Sequence, residues 1–332
     1  MKIENKKIKI LSTGAYLPKK ISSEEIEKKY NLERGWSEKF SGVANRHHAT
    51  FESNAYMGAK AIESALEKAN LTLADIDLII SAGATFDYPL PNQASVTKSK
   101  LSDGKKYNVP SIDVDTSCLS FVTSFDIASK MIDNYQYKRV VIVTTELGSK
   151  GLNPKNPETL TLFGDAAVAM IISFDENSDS CYIKGAMNTF SDGLEHAIIK
   201  GGGNEFFFKD NPYDPALHSF KMDGRNLLKI ARKEIGVFTE TFFSDIDYDI
   251  NEMKIVIPHQ ASKTGIALFK KIFNFKEGIV KDNLTNHGNC IAASIPLVIH
   301  QLIESGQMNR GDLCFLLGTS AGFSVGATLF RY

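Results

Sequence analysis

Residues 115–121 read DTSCLSF and lie between VPSIDV and VTSFDIASKMIDNY. The first flanking run predicts a strand and the second a helix, so Cys118 falls at their junction. A thiol at a helix start lies near unpaired N–H groups and the positive end of the helix dipole, which stabilise a thiolate or an oxyanion. We therefore expect a lowered pKa at Cys118 and a role as nucleophile, although most cysteines are simply small buried side chains.

Outward from this junction, apolar runs alternate with amphipathic stretches. RVVIVTTE at 139–146 and DLCFLLG at 312–318 are nearly all apolar, as strands covered on both faces are. Residues 54–70, NAYMGAKAIESALEKAN, have helical spacing and predict a helix that ends at Asn70. Ser22 and Glu25 fit a helix-starting capping box. The alternation predicts a layered α/β fold.

Composition excludes several classes of protein. The 332 residues carry a formal net charge of -1, so no global field favours nucleic acid or a membrane surface. The run IKIL at 8–11 is too short for a signal-peptide core, and no window approaches the ~18 apolar residues of a membrane span. The four cysteines are far apart, which argues against a zinc site or a disulfide framework. We expect a cytoplasmic protein without a metal.

Two further residues lie at loop-to-helix junctions. His259, in KIVIPHQAS, follows a buried strand, and such strand ends are where sites form in α/β sheets. Asn289 lies in NHGNCIAASIP, which also leads into a helix. His47, His48 and His300 are interpreted as structural or solvated. Spacing alone does not establish that Cys118, His259 and Asn289 converge.

Papain-like proteases use Cys, His and Asn in this chain order, but their local cysteine signature is absent. The sequence instead resembles the β-ketoacyl-acyl-carrier-protein synthase III family, the thiolase-fold condensing enzymes that start fatty acid synthesis. The resemblance runs from about residue 8 to the C-terminus and rests on six motifs in order. They are DTSCLSF, LFGDAAVAM, FKMDGR, PHQAS, GNCIAASIP and AGFSVGATLFRY.

The resemblance implies a thiolase-like α-β-α-β-α arrangement of two similar halves. Residues 1–175 would carry the nucleophilic Cys, and residues 176–332 would carry the His and the Asn. It also implies a homodimer, because the family's acyl tunnel borrows residues across the interface. No cofactor is implied, since acyl-CoA and phosphopantetheine-linked thioesters are substrates.

The resemblance assigns a role to each candidate residue. Cys118 would hold an acyl primer, with the backbone N–H groups of Cys118 and Ala321 as the oxyanion hole. His259 and Asn289 would bind the thioester carbonyl of a malonyl unit on a carrier protein or CoA. Loss of carbon dioxide would give an enolate that attacks the acyl group and releases a 3-oxoacyl thioester. The amide of Asn289, rather than a carboxylate or a second thiol, favours decarboxylative condensation; Cys181, Cys290 and Cys314 are interpreted as structural.

Substrate-binding positions depart from the family pattern. Trp36 matches a tryptophan that stacks on adenine, or it simply anchors its loop. Phe40 and Pro157 replace two arginines that hold the nucleotide, so the primer arrives on a carrier protein or CoA binds differently. Leu90 replaces the phenylalanine that caps the acyl tunnel from the neighbouring subunit, and Phe323 matches the C-terminal substrate-binding motif.

The carrier-docking region departs as well. Thr264 stands where the family has an arginine, with Lys263, Lys270 and Lys271 nearby as either a docking patch or a solvated helix face. These departures, together with CLSF at the nucleophile turn where the housekeeping enzymes have CAGF, favour a paralogue that takes a medium or long acyl primer.

Some alternatives stay open. The segment 186–220, rich in Gly, Asn and Asp and carrying FFF at 206–208, is either a surface excursion with a local hydrophobic plug or a lid over an apolar substrate. The chain could also be a non-elongating acyltransferase of the same fold, or an enzyme that joins two acyl chains head to head, for which the sequence offers no additional base. A catalytically silent partner of a heterodimer is a further reading, although it would not need all three residues.

Overall fold

The computed structural model describes residues 5–332, and its elements follow the alternation of the sequence. The strands are β1 (Ile8–Tyr16), β2 (Lys19–Ser22), β3 (Asn45–His48), β4 (Leu78–Ala82), β5 (Ser111–Val114), β6 (Arg139–Leu147), β7 (Asp165–Phe174), β8 (Cys181–Thr189), β9 (Ala197–Ile198), β10 (Lys221–Met222), β11 (Ile255–Pro258), β12 (Leu313–Ser320) and β13 (Ser324–Arg331). The α-helices are α1 (Ser23–Lys29), α2 (Trp36–Phe40), α3 (Asn54–Ala69), α4 (Gln93–Ser99), α5 (Ser120–Met131), α6 (Pro157–Leu160), α7 (Pro215–His218), α8 (Gly224–Phe243), α9 (Lys263–Phe273), α10 (Leu284–His287) and α11 (Ser294–Glu304).

Side-chain and backbone caps determine where several helices begin and end. The Ser22 hydroxyl accepts the N–H of Glu25, and the Glu25 carboxylate accepts the N–H of Ser22, so the predicted capping box starts α1. Asn70 adopts a left-handed conformation (φ 52°) and ends α3 at the predicted residue. Short 3₁₀ turns, Ser117–Leu119 and Ile291–Ala293, precede α5 and α11. The helix over IAASIPLVIHQLIESG therefore begins three residues later than predicted.

Two mixed sheets form the frame. The first has five strands in the order β1-β7-β6-β4-β5, in which β4 is parallel to both β5 and β6. The second has four strands in the order β11-β12-β13-β8, in which only β11 and β12 are parallel. Residues 8–174 supply the first sheet and residues 181–331 the second.

The helices cover both faces of each sheet. Helix α3 packs on the outer face of the first sheet, and α8 and α9 pack on the outer face of the second. Helices α5 and α11 lie between the two sheets and share one apolar cluster with both. The order is therefore helix, sheet, helix, sheet, helix, which is the layered α-β-α-β-α arrangement that was expected.

Strand β6 explains why the apolar runs lack alternation. Val141 and Val143 face α3, whereas Val140 and Ile142 face the central helices, and all four are fully buried. Burying each such side chain contributes about 1.5–3 kcal/mol, so both faces of the strand favour the layered fold. The prediction of strands covered on both faces is confirmed.

The histidines that were interpreted as structural or solvated have defined places in the fold. His47 and His48 lie on β3, paired with β2 and partly buried. His47 stacks on His287 with ring centroids 5.3 Å apart. Nδ1 of His300, in α11, lies 2.9 Å from the Thr13 hydroxyl of β1. Among residues 5–332, no helix combines the length and apolar character needed to cross a membrane.

Candidate active site

A cavity of about 1260 Å³ opens where several strands end. Strand β6 ends at Leu147, β11 ends just before His259, and β12 runs into the turn that carries Ala321. The lining includes most of the predicted site residues: Cys118, His259, Asn289, Ala321 and Phe323. Residues that are up to about 200 positions apart in sequence therefore share one site.

Cys118 lies in a tight turn rather than at the start of an α-helix. The 3₁₀ turn Ser117–Leu119 carries it, and α5 begins only at Ser120. Ser117 has a positive φ of 53°, and its N–H donates to the Asp115 carboxylate at 2.7 Å. Leu119 of this turn is buried and packs against β12 and β13. A Cβ added at Gly318 or at Gly326 would lie only 3.1 Å from the Leu119 side chain.

The expectation of a lowered pKa at Cys118 is wrong for the unliganded protein. Burial of the thiol raises its pKa to about 12, and the negative charge of Glu146 adds to the effect. The backbone N–H groups of Ala321 and Cys118 donate to the sulfur and favour the thiolate, but they do not outweigh burial. The reason is that one short turn offers few N–H groups, whereas protein atoms surround much of the partly exposed thiol.

His259 is held as a neutral ring. Its backbone N–H donates to the carbonyl of Leu317 at 2.9 Å, which fixes it at the end of β11. Burial lowers its pKa to about 4, so at neutral pH one ring nitrogen carries a proton and the other is an acceptor. Nδ1 is buried and has no hydrogen-bond partner in residues 5–332. Such a ring can donate one hydrogen bond to a ligand in the cavity.

Gln260 fixes the loop after His259. Its amide nitrogen donates to the carbonyl of Pro258 at 2.7 Å, and its amide oxygen accepts the N–H of Asn283 at 3.0 Å. Gln260 is completely buried. The side chain therefore ties the histidine loop to the segment that leads toward Asn289.

Asn289 is oriented by its own loop. Its side-chain oxygen accepts the N–H of Ile291 at 2.8 Å, and its side-chain nitrogen donates to the carbonyl of Ala261 at 3.3 Å. Its backbone pairs with Leu162 and Gly164 through two hydrogen bonds. Because the oxygen is engaged, the amide nitrogen is the group that can donate its second hydrogen to a ligand.

The turn between β12 and β13 presents the second backbone donor. Gly322 takes the left-handed conformation, with φ of 116°, that a side chain rarely adopts. Ala321 beside it does not have a positive φ, so the alanine found there is compatible with the turn. The N–H of Ala321 points at the Cys118 sulfur, where it can meet negative charge on an oxygen of an acyl group.

Glu146 is a functional candidate that the sequence interpretation missed. It ends the apolar run of β6, is fully buried, and accepts hydrogen bonds from the N–H of Ala84 (2.9 Å), the hydroxyl of Thr85 (2.8 Å) and the N–H of Ala292. Burial raises its pKa to about 8. The signal in the sequence was a charged residue in a run of buried strand residues, VVIVTTE. The carboxyl group ties β6, the loop after β4 and the loop after Asn289 together.

Of the residues predicted to contact the nucleotide or cap the acyl tunnel, only Phe40 lines the cavity. Phe40 lines the cavity at its exposed rim, and Trp36 lies against it with ring centroids 4.6 Å apart but does not line the cavity. Pro157 is the first residue of α6, while its neighbour Glu158 lines the cavity. Leu90 is 85% exposed on the loop after β4 and does not line the cavity of its own chain.

The basic residues near α9 differ in their surroundings. Lys263 lies against Gly42, and Lys270 forms an ion pair with Asp282 at 2.9 Å. Thr264 is exposed and lines the rim of the cavity. Lys270 is therefore engaged within the chain, whatever the other lysines bind.

The segment 186–220 contributes to the cavity only at some points. Leu194, Ile198, Ile199 and Phe220 line it. The FFF motif does not: Phe207 and Phe208 are about half exposed, and Phe208 stacks on His218. The aromatic run is thus a local surface cluster, while the flanking aliphatic residues cover part of the cavity.

The remaining cysteines are buried and do not line the cavity. Burial raises the pKa of Cys181, Cys290 and Cys314, and the Cys290 thiol donates to the carbonyl of His287 at 3.4 Å. Within residues 5–332, no cluster of three or more His, Cys, Asp or Glu side chains is arranged to hold a metal ion.

Comparison with known proteins places this arrangement in a family. Residues 112–193 match the profile described as 3-Oxoacyl-[acyl-carrier-protein (ACP)] synthase III, and residues 243–332 match the profile of its C-terminal part. The β-ketoacyl-[acyl-carrier-protein] synthase III of Clostridium tetani is 30% identical over 342 residues, which cover 99% of this chain and 100% of the relative.

Similarity to a relative from Aquifex aeolicus extends to three dimensions. The β-ketoacyl-[acyl-carrier-protein] synthase III of that organism is 30% identical over 325 residues, 98% of this chain and 99% of the relative. The crystal structure of the 3-oxoacyl-[acyl-carrier-protein] synthase III from Aquifex aeolicus superposes with a TM-score of 0.87, covering 98% of this chain and 100% of that one. The thiolase-like fold expected from the motifs is confirmed. The chain belongs to the 3-oxoacyl-[acyl-carrier-protein] synthase III family of acyl-transferring condensing enzymes.

Proposed function

We propose that the protein condenses an acyl primer held on Cys118 with a malonyl thioester, releasing carbon dioxide and a 3-oxoacyl thioester. The observation that carries the proposal is the convergence of Cys118, neutral His259 and oriented Asn289 on one cavity. The family supports condensation in general. The roles of the individual residues are those that the family resemblance implies, and their geometry is compatible with them.

In the first half-reaction, the sulfur of Cys118 attacks the carbonyl carbon of the primer thioester. A carbon–sulfur bond forms, and the donor's thiol leaves with the proton that Cys118 gives up. Negative charge collects on the carbonyl oxygen, where the N–H groups of Cys118 and Ala321 stabilise it. The raised thiol pKa means that attack depends on these donors and on the bound substrate rather than on a resting thiolate.

In the second half-reaction, His259 and Asn289 donate hydrogen bonds to the thioester carbonyl of the malonyl unit. The bond to the free carboxylate breaks, carbon dioxide leaves, and the electron pair moves onto the enolate. The two hydrogen bonds stabilise the negative oxygen that develops. The enolate carbon then bonds to the primer carbonyl, and Cys118 leaves as the thiolate. No base, metal or redox cofactor is needed, because decarboxylation itself generates the nucleophile.

We propose a primer of medium or long chain and an extender carried on an acyl-carrier protein. The cavity, at about 1260 Å³, exceeds the roughly 300–1,000 Å³ of common small-molecule sites. Phe40 at the rim and Pro157 at the start of α6 offer no charge to a nucleotide phosphate. A carrier-borne phosphopantetheine arm avoids that need, whereas CoA would lack its usual partners.

We also propose that the protein acts as a homodimer. Strand β5 is an edge strand of the five-stranded sheet, and Ile112 on it is 39% exposed. The loop after β4 adds Phe86, Tyr88 and Leu90, all exposed by 45% or more. An apolar edge of this kind favours pairing with a second copy, which would bring Leu90 toward the partner's cavity.

An intact-mass assay tests the proposed reaction. The enzyme is mixed with malonyl-loaded carrier protein and with acyl primers of increasing length, supplied on CoA or on carrier protein, and both proteins are weighed. We expect Cys118 to gain the acyl mass, and the malonyl group on the carrier to lose carbon dioxide and become a 3-oxoacyl group two carbons longer than the primer. If Cys118 becomes acylated while the carrier keeps its malonyl group, the result would favour the acyltransferase alternative. It would also contradict the roles proposed for His259 and Asn289.

A further inference from the structure

The cavity has two apolar walls that belong to different parts of the core. One wall, which we call the primer arm, includes Phe163 and Ile291. The other, which we call the α8–α9 arm, consists of Pro258, Leu317, Ala231, Ile235, Leu268 and Phe269. Most of the second set belong to the cluster on the outer face of the second sheet.

The primer arm begins beside the nucleophile. The turn that carries Cys118 packs on the turn Ile291–Ala293, and Ile291 lines this arm. A Cβ added at Gly148, which also lines the cavity, would lie 3.3 Å from Ile291 and 3.4 Å from Phe163. An acyl chain bound to the Cys118 sulfur therefore has an apolar path on this side.

The α8–α9 arm begins beside the histidine instead. Pro258 immediately precedes His259. Leu317 on β12 is the register partner of Pro258. The carbonyl of Leu317 also accepts the N–H of His259 at 2.9 Å. The chain bound to Cys118 already has the primer arm, so a group that enters the second arm is best carried by the molecule that His259 binds.

The two helices leave room for a ligand. Ala231, the smallest side chain on the cavity-facing stripe of α8, stands between Leu227 and Ile235. A Cβ added at Gly265 of α9 would meet only Ser262 and Ala261 within 4 Å, and no atom of α8. The two helices are therefore not in contact at Gly265.

The interior of the α8–α9 arm is apolar and offers few hydrogen-bond partners to water. Ala231, Ile235, Phe269 and Leu317 are each at most 8% exposed, and none of the residues that form the arm is charged. A buried apolar space offers water too few hydrogen bonds to hold it, but it suits an aliphatic chain. The apolar lining of the arm therefore favours binding of an alkyl chain over binding of a polar group.

We propose that the α8–α9 arm binds an alkyl chain on the extender, so that the preferred nucleophilic substrate is a 2-alkylmalonyl thioester rather than malonyl itself. The inference rests on the proposed function, because His259 must bind the extender's carbonyl. The alkyl group on C2, next to that carbonyl, enters the arm.

The reaction balances as before and needs no additional base. The bond from C2 to the free carboxylate breaks, carbon dioxide leaves, and C2 bonds to the primer carbonyl as Cys118 departs with its electron pair. The product is a 2-alkyl-3-oxoacyl thioester. Joining two acyl chains without loss of carbon dioxide would need a base in the cavity, which this route avoids.

The test compares extenders that differ only in the alkyl group. Enzyme acylated on Cys118 with an octanoyl primer receives malonyl, ethylmalonyl, butylmalonyl or hexylmalonyl groups on the same carrier protein, and product formation and carbon dioxide are measured. We expect kcat/KM to rise by roughly threefold to fourfold per methylene until the arm is full. A steady fall from malonyl to hexylmalonyl would overturn the proposal.

Two matched variants locate the effect. Ala231→Leu fills the arm from α8, whereas Ala267→Leu makes the same change on the exposed face of α9. We expect the ratio of kcat/KM for butylmalonyl to that for malonyl to fall about tenfold or more in A231L and to stay native in A267L. An equal ratio in both variants would contradict the proposal, since it would make the arm irrelevant to the alkyl chain.

A third variant covers the case in which A231L does not fold. Ile235→Val enlarges the arm by one methyl group, and the preferred extender should become about one carbon longer. An unchanged preference would count against the arm. If the wild type condenses no extender although Cys118 is acylated, the proposed function itself fails, and this inference fails with it; condensation with malonyl alone would overturn only the inference.

Discussion

The side-chain oxygen of Asn289 accepts the backbone N–H of Ile291 at 2.8 Å, so the amide of Asn289 is oriented before any substrate binds. The side-chain oxygen already accepts a hydrogen bond within the loop. The side-chain nitrogen is therefore the atom that can donate a hydrogen bond to a ligand in the cavity. A carboxylate at this position would keep the bond to Ile291 but would present an acceptor to the substrate carbonyl.

The first prediction follows from that orientation. Asn289→Asp should slow decarboxylation of the malonyl carrier about 100-fold to 1,000-fold, because a transition-state donor is replaced by an acceptor. Acylation of Cys118 by the primer should stay close to native, since Asn289 does not act in that step. Carbon dioxide release and intact mass measure the two steps separately. Asn286→Asp, at an exposed position three residues away, is the matched control; equal losses in both half-reactions of N289D would contradict the assigned role.

The second prediction concerns the turn that carries the oxyanion donor. Gly322→Ala places a side chain at φ of 116°, where strain costs about 1–3 kcal/mol, although no atom lies within 4 Å of the added carbon. We expect a lower melting temperature and acylation of Cys118 slowed about tenfold as the N–H of Ala321 shifts. Gly203→Ala makes the same change in open space at an ordinary φ and should be neutral. Identical behaviour of the two variants would show that the turn tolerates the strain.

The third prediction tests the raised pKa of Cys118. With a thiol pKa of about 12, alkylation of the free enzyme by iodoacetamide should rise about tenfold per pH unit up to pH ~10 without a plateau. Glu146→Gln removes a negative charge near the sulfur and should speed alkylation above pH ~8. Mass mapping distinguishes Cys118 from the three buried cysteines, and Cys118→Ala gives the background. A plateau near pH ~8 in the wild type would mean that the turn lowers the pKa after all.

The fourth prediction concerns stability and Glu146. Its pKa is about 8 in the folded protein against 4.5 ordinarily, so folding favours the protonated form. The stability that this group contributes is complete below pH 4.5 and is lost as the pH rises through 8. The uncharged Gln of E146Q should therefore gain stability relative to the wild type over that range, as measured by urea unfolding.

A companion variant separates charge from hydrogen bonding at the same position. Glu146→Leu should be less stable than the wild type at every pH, because each buried donor left unpaired, at Ala84 and Ala292, costs about 1–3 kcal/mol. A pH-independent difference between E146Q and the wild type would contradict the raised pKa. Native stability in E146L would show that its hydrogen bonds hold nothing in place.

The fifth prediction concerns acid. Burial lowers the pKa of His47, His259 and His287 to about 4, each from 6.5. The unfolded chain binds these protons first, so stability is present above pH 6.5 and falls as the pH drops toward 4. Urea midpoints measured from pH 7.5 to 4.5 should decline, and His47→Phe should flatten the decline. A flat profile in the wild type would contradict the three shifts.

Much of the fold could be predicted from local patterns. Strand β6 is apolar on both faces because helices cover both faces, and α3 stops at Asn70 because Asn tolerates the left-handed conformation. The chain order of Cys118, His259 and Asn289 pointed to the site, but their convergence depends on strand ends that no local pattern specifies. Their roles came from a family resemblance rather than from spacing.

What could not be predicted depends on tertiary environment. The pKa of Cys118 depends on the burial of its turn against other elements and on the charge of Glu146, neither of which its local sequence specifies. The same holds for the hydrogen bonds of Glu146 to Ala84 and Ala292, since a lone Glu at a strand end gives no sign of its partners. The α8–α9 arm depends on the spacing of α8 and α9 near Gly265, and that spacing is a property of tertiary packing.

The most direct test of the central claim is a single-turnover count of carbon dioxide. Enzyme acylated once on Cys118 is mixed with malonyl carrier labelled in the free carboxylate, and released label, acyl-enzyme and carrier mass are followed together. We predict one carbon dioxide released and one 3-oxoacyl carrier formed for each acyl group that leaves Cys118, with the coupled release abolished in Asn289→Asp. Loss of the acyl group from Cys118 without release of carbon dioxide would contradict decarboxylative condensation.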